Sequence, residues 1–192
     1  MADVRILIGE DNDIVAQTLK DQLDALGYEV AGVAHTSSDV VRLSEQLTPD
    51  LIILDMQMAE LSSDTTKAIA GQRAIPLVIL TPFSDAESVR RAEEAGALAY
   101  LVKPPNSEEL PPAIDIALAR HREMQQLRTH VDELHATIEA RKVVERAIGI
   151  LMKRLKVTRA EAEARLRQRA DGSEAKLKEI AQTIVDSDAL LS

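Results

Sequence analysis

The sequence predicts an α/β chain: a doubly wound, five-stranded parallel sheet, then a long coiled-coil helix and a small three-helix all-α unit. Three observations predict it. Five short apolar runs alternate with segments of helical period up to about residue 103, and beyond Pro112 a stretch without proline carries apolar residues at heptad steps. Two short helical stretches, the first opened by a capping box, close the chain.

The first run is "VRILIG" (Val4–Gly9). Behind it, "DIVAQTLKDQLDALG" sets Ile14, Val15, Leu19, Leu23 and Leu26 at helical spacing and stops at Gly27. "YEVAGVA" (Tyr28–Ala34) is the second strand. "LIILD" (Leu51–Asp55) is the third, and its four consecutive apolar residues fit a strand covered on both faces. "PLVILT" (Pro76–Thr81) and "LAYLVK" (Leu98–Lys103) are the fourth and fifth. Between them "SDAE" (Ser84–Glu87) reads as a capping box opening a helix ahead of Gly96.

After "KPPNSEEL" the pattern changes to one helix from Pro112 to about Lys156. In it Met124, Leu127, Val131, Leu134 and Ile138 step by 3, 4, 3 and 4, a seam suited to a partner helix. "TRAE" (Thr158–Glu161) is a second capping box, and "DGS" separates its helix from a last one over about Ser173 to Ser187.

With 192 residues and 45 % apolar content the chain can bury one full core and something smaller. It has no cysteine, and no secretory or membrane-spanning segment is evident, so a cytoplasmic protein without membrane attachment is expected. The net charge of −9 is unevenly spread. Residues 1–136 hold 11 Lys and Arg against 23 Asp and Glu, whereas residues 140–170 hold 10 against 3. An acidic body with a basic tail points to a polyanionic partner for the tail.

Ligands of open parallel sheets bind beyond the carboxyl ends of the strands. Here the first strand ends in Glu10-Asp11, the third in Asp55, the fourth in Thr81 and the fifth in Lys103-Pro104. Alone, each has an ordinary explanation: Asp55 as a turn former, Thr81 as a β-former, Lys103 as a solvated charge. Together, three carboxylates, a lysine and a hydroxyl describe a site for a hard cation such as Mg²⁺ and a phosphoryl group.

These residues, with Tyr-x-x-Lys-Pro around the fifth strand, resemble the receiver domain of two-component response regulators over residues 1–120. The resemblance implies a flavodoxin-like fold and a regulator rather than an enzyme. It implies that Asp55 accepts a phosphoryl group from a histidine kinase, and that Glu10, Asp11, Asp55 and the backbone carbonyl of Gln57 hold Mg²⁺. It also implies that Lys103 and Thr81 hold the phosphoryl oxygens while Tyr100 moves with Thr81 as a switch. Glu10 in place of the commoner Asp, Ala59, Pro82 and Pro105 depart from the family pattern.

Arg141–Val185 resembles the ANTAR domain, an RNA-binding antitermination module, through Ala147, Gly149, Ile150, Leu151 and Met152, then Glu161-Ala162, Leu166-Arg167 and "KLKEIAQTIV". Ile148 and Glu163 depart from its pattern. The implied organisation is a receiver over 1–120, a coiled-coil linker helix over 121–140 and an RNA-binding unit over 141–192. From the residues themselves, Ile150, Leu151 and Met152 are expected in a three-helix core, and Gly149 is expected where another helix approaches closely. Lys153, Arg154, Lys156, Arg159, Arg165, Arg167 and Arg169 are candidates for phosphate contact, each with a solvated helix face as its alternative.

Residues 137–192 contain no Phe, Tyr or Trp, which argues against recognition by stacking bases on aromatics. His121, His130 and His135 lack a zinc-binding arrangement. The expected function is a phosphorylation-controlled response regulator that pairs through its long helix and binds RNA hairpins in nascent transcripts to prevent termination. A helical output that binds DNA, or protein alone, is the alternative.

Overall fold

Five parallel strands form because helices cover both faces of each apolar run. The computed structural model of the protein describes residues 4–60, 75–83 and 85–189. Over them the elements are β1 (Arg5–Gly9), α1 (Asp13–Ala25), β2 (Glu29–Ala34), α2 (Ser37–Leu47), β3 (Leu51–Asp55), α3 (Met56–Glu60), β4 (Leu77–Thr81), α4 (Ala86–Glu94), β5 (Ala99–Val102), α5 (Leu110–Leu155), α6 (Arg159–Arg169) and α7 (Glu174–Ala189). The chain divides into two compact units, Met1–Gln125 and Gln126–Ser192.

In the first unit the strand order is β2-β1-β3-β4-β5, all parallel, so strand order reverses between β1 and β3. Side chains alternate between two cores, as the pleat requires. Ile6, Ile8, Leu51, Ile53, Val78 and Leu80 pack against Leu19 and Leu23 of α1 and Leu110 and Ile114 of α5. Leu7, Ile52, Leu54 and Ile79 pack on the opposite face with Val40 of α2 and Ala92 of α4. Every residue of β3 is consequently buried, including the terminal Asp55. Gly9 lets β1 run close beside β3, since a Cβ there would lie 2.5 Å from Leu54 Cδ1 and 3.0 Å from Val40 Cγ2 and would force these buried side chains to shift.

Several expectations are corrected by the fold. Ile14 and Leu26 are exposed; the buried face of α1 is Ala16, Leu19 and Leu23. The cap of α4 is Asp85, whose carboxylate accepts from Ser88 N at 3.0 Å and from Ser88 Oγ at 3.1 Å. The capping box expected from Ser84 therefore begins one residue too early, and Ser84 itself lies outside the described residues. Helix α5 starts at Leu110, with Pro111 and Pro112 in its first turn, where helix N–H groups have no intrahelical partner to lose.

The second unit is a core of Ala147 and Ile148 from α5, Ala162 and Leu166 from α6, and Ala181 from α7. Thr158 and Glu161 form the expected capping box on α6. Ile148 is buried here and Leu151, half-buried, packs against this core as expected, whereas Met152 is exposed and Ile150 is half-buried outside the cluster, so the inward face of α5 is only partly the one expected. Gly149 is exposed, and beyond its own turns of helix a Cβ placed on it would have nothing within 4 Å, so no other helix among the described residues approaches it closely. The seam residues Met124, Leu127, Val131, Leu134 and Ile138 are all exposed.

Candidate functional site

The reversal of strand order between β1 and β3 leaves a crevice beyond their carboxyl ends. Glu10 directly follows β1 and is buried, with its backbone N–H donating to Ala34 O at 3.0 Å. Asp55 is buried at the end of β3, and Lys103 follows β5, where its N–H donates to Thr81 O at 2.8 Å. The Lys103 ammonium meets both acids, 2.5 Å from Glu10 Oε2 and 2.8 Å from Asp55 Oδ1. Burial works against the charge on Lys103 and is the largest single influence. The hydrogen bonds and negative charges of Asp55 and Glu10 together outweigh it and raise its pKa.

Oxygens of Glu10, Asp11 and Asp55 lie within 4.8 Å of one another, with Asp11 exposed and the other two buried. The donor set is oxygen only, as a hard cation requires. Three carboxylates and one ammonium leave two negative charges uncompensated, which matches a divalent ion. These residues fit Mg²⁺. Gln57, whose carbonyl is expected to join them, lies in α3 directly after β3. His35, at the end of β2, borders the cluster with Nδ1 3.1 Å from Glu10 O and 3.4 Å from Asp13 Oδ1.

Thr81 is buried at the end of β4, but its hydroxyl is engaged by its own loop. It donates to Phe83 O at 3.2 Å and accepts from Phe83 N–H at 3.3 Å. Pro82 between them has no N–H to offer. Tyr100 of β5 pairs with Ile79 and is exposed. The structure thus gathers Glu10, Asp11, Asp55 and Lys103 into one cluster, whereas Thr81 and Tyr100 make no side-chain hydrogen bond to it among the described residues. The contact of Phe83 and the position of His35 are not legible in the sequence, because both depend on where loops fold back.

The candidate phosphate-binding residues of the second unit differ in what they touch. Arg154 pairs with Asp188 of α7, Arg159 with Glu145 of α5, and Arg167 with Glu163 one turn away. Lys153, Lys156, Arg165 and Arg169 make no ion pair or hydrogen bond among the described residues. Arg146, which composition alone does not single out, is similarly unpaired and exposed.

Residues 6–115 match the family model of the response regulator receiver domain, and residues 132–185 match that of the ANTAR domain. The chain belongs to the response regulators that carry a receiver followed by an ANTAR domain. It is 37% identical over 184 residues to the transcriptional regulatory protein PdtaR of Mycobacterium tuberculosis (strain H37Rv), covering 95% of this chain and 90% of that one. The transcriptional regulatory protein LiaR of Bacillus subtilis (strain 168) is 36% identical over 117 residues, 59% of this chain and 56% of that protein. Among solved structures, the receiver domain of a modulated diguanylate cyclase from Desulfovibrio desulfuricans G20 aligns with a TM-score of 0.55 and 30% identity, covering 62% of this chain and 97% of that one. In this response regulator the acidic cluster and Lys103 fall within the receiver match, and the second core falls within the ANTAR match. No helix among the described residues is long and apolar enough to cross a membrane.

Proposed function

We propose that this response regulator is switched by phosphorylation of Asp55 and acts as an RNA-binding transcription antiterminator. The observation that carries the reading is the pairing of a Lys103-bridged acidic cluster in the receiver with an ANTAR domain in which residues 140–170 hold 10 Lys and Arg against 3 Asp and Glu. A receiver domain calls for a phosphodonor, and the donor proposed here is a histidine kinase. The output proposed for the ANTAR domain is RNA hairpins; an ANTAR match behind the receiver does not favour the DNA-binding alternative. The proposed division is a receiver over 1–120, a linker helix over 121–140 and the RNA-binding unit over 141–192.

In the proposed transfer an oxygen of Asp55 attacks the phosphorus of a phosphohistidine. An O–P bond forms, the N–P bond breaks, and the imidazole nitrogen keeps the electron pair. Asp55 is held at the end of a buried strand, so the protein's contribution is mainly position. Glu10, Asp11, Asp55 and the carbonyl of Gln57 would hold Mg²⁺, which would supply charge neutralisation for the phosphoryl group. Lys103 exchanges its contact with Asp55 Oδ1 for a phosphoryl oxygen while Glu10 keeps the ammonium in place. Thr81 leaves Phe83 to hold another oxygen, and Tyr100 follows it inward from its exposed position.

Phosphorylation then favours pairing of two chains through Met124, Leu127, Val131, Leu134 and Ile138, whose exposure leaves the seam available. The proposed phosphate contacts are Lys153, Arg154, Lys156, Arg159, Arg165 and Arg167. Titration of the full chain with a structured RNA and with a DNA duplex of equal phosphate count, at several salt concentrations, tests this output. Preference for the RNA supports the reading; equal or tighter binding of the duplex overturns it.

A further inference from the structure

Beyond Ile138 the exposed face of α5 changes from apolar to cationic without leaving its line. Lys142, Arg146, Gly149 and Lys153 step by 4, 3 and 4, so they share one face of the helix, and all four are exposed; Lys156, also exposed, directly follows the helix end at Leu155 with φ +53°. Ala147 and Ile148 point the other way, into the core with Ala162 and Leu166. Ile138 and Lys142 are four residues apart, so the apolar seam continues directly into this stripe.

Three of the cations, Arg146, Lys153 and Lys156, make no ion pair or hydrogen bond among the described residues. Lys142 pairs only with Glu139 on its own helix and remains exposed. Glu145, which borders the stripe, is engaged by Arg159. Three of its four cations are therefore without a counter-charge among the described residues. A second copy of α5 cannot cover it in register, because lysine would then face lysine.

Gly149 stands at its middle. Glycine weakens an exposed helix interior relative to alanine, and beyond its own turns of helix no atom of the described residues lies within 4 Å of the position a Cβ would take. The fold itself does not require glycine there, so its advantage lies with something that approaches from outside.

We infer that RNA phosphates seat on this stripe of α5, with Gly149 as the point of closest approach, and that helix pairing through the seam ends at Ile138. The inference rests on the RNA-binding reading above. It adds Arg146, Lys142 and Gly149 to the binding surface and makes the outward face of α5 the principal contact. The arrangement is that of a zipper whose helices continue as basic arms, a solution also found where paired helices grip nucleic acid.

The test is fluorescence anisotropy of full-length protein with a labelled RNA stem-loop, across a salt series. Replacing Arg146 and Lys153 together by Gln lowers affinity about tenfold and flattens the slope of log affinity against log salt by about 1.5. The same charge loss at Lys176 and Lys178, on α7, leaves both nearly unchanged. Gly149→Gln keeps or raises the thermal midpoint yet weakens RNA binding severalfold, and Gly149→Ala raises the midpoint while weakening RNA binding to a smaller degree, which a purely structural glycine would not do. Wild-type affinity and slope in the Arg146/Lys153 variant, equal loss at Lys176/Lys178, or undiminished binding by Gly149→Gln each overturns the stripe while leaving RNA binding intact. Failure of the unaltered protein to bind the stem-loop overturns the RNA reading itself.

Discussion

The Lys103 ammonium lies 2.8 Å from Asp55 Oδ1, at the ends of strands that do not neighbour each other in the sheet. It is the cation that keeps buried Asp55 and Glu10 together. Removing it leaves two buried carboxylates without a counter-ion. Lys103→Ala should cost about 3 kcal/mol of receiver stability in the presence of a chelator, and millimolar Mg²⁺ should recover part of the loss. Denaturant titrations with and without the metal check this. A variant as stable as the parent in chelator would show that the two carboxylates do not depend on Lys103 for compensation.

Asp55→Ala should abolish acid-labile phosphate incorporation from acetyl phosphate with Mg²⁺. Asp55 is the carboxylate that ends the buried central strand, and Asp11, although close, is exposed. Incorporation that persists in the variant would move the acceptor elsewhere.

Pro82 removes a backbone donor beside Thr81, and the nearest N–H, that of Phe83, is already bonded to the Thr81 hydroxyl at 3.3 Å. A hydrogen bond to a charged group contributes about 1.5 to 3 kcal/mol. Pro82→Ala should therefore bind beryllofluoride at least tenfold more tightly, as read by calorimetry in Mg²⁺. Equal binding by the two proteins would mean that Phe83 or another donor already serves.

Leu134 and Val131 are exposed on a regular seam. Leu134→Glu should weaken self-association by about 1 to 3 kcal/mol if the residue becomes a buried knob. Sedimentation of the phosphorylated or beryllofluoride-bound protein measures it. Unchanged association would remove the coiled-coil pairing.

The cap of α6 joins the second unit's stability to pH. The Glu161 carboxylate accepts from Thr158 N–H at 2.8 Å, and this backbone bond, with that from the Thr158 hydroxyl, lowers its pKa below 4.5. A carboxylate depressed in the folded state contributes stability above its unfolded pKa and loses it as pH falls through the folded value. Helix α6 should thus weaken below about pH 4.5 in the parent protein, and Glu161→Gln should lose that part of the pH dependence in circular dichroism.

How much of this is legible in the sequence depends on the range of the interaction. "LIILD" reads as a doubly covered strand because burial on both faces leaves a continuous apolar run, and the strand-end placement of Glu10, Asp55 and Lys103 follows from parallel topology. The start of α4 is ambiguous because Ser84 and Asp85 are both good caps, and only the bond from Ser88 N to Asp85 distinguishes them. The inward face of α5 is equally ambiguous because "IGILM" is apolar around much of the helix, and packing by Ala162 and Leu166 selects Ala147 and Ile148. The pairing of Arg167 with Glu163 follows from their i, i+4 spacing, but that of Arg154 with Asp188 is not legible, since the two are 34 residues apart.

The most direct test joins the two domains in one titration. The affinity of the full chain for a structured RNA should rise at least tenfold when beryllofluoride and Mg²⁺ are added, and Asp55→Ala should show no rise. An affinity indifferent to beryllofluoride in the parent protein, or an equal rise in Asp55→Ala, would contradict control of RNA binding through Asp55.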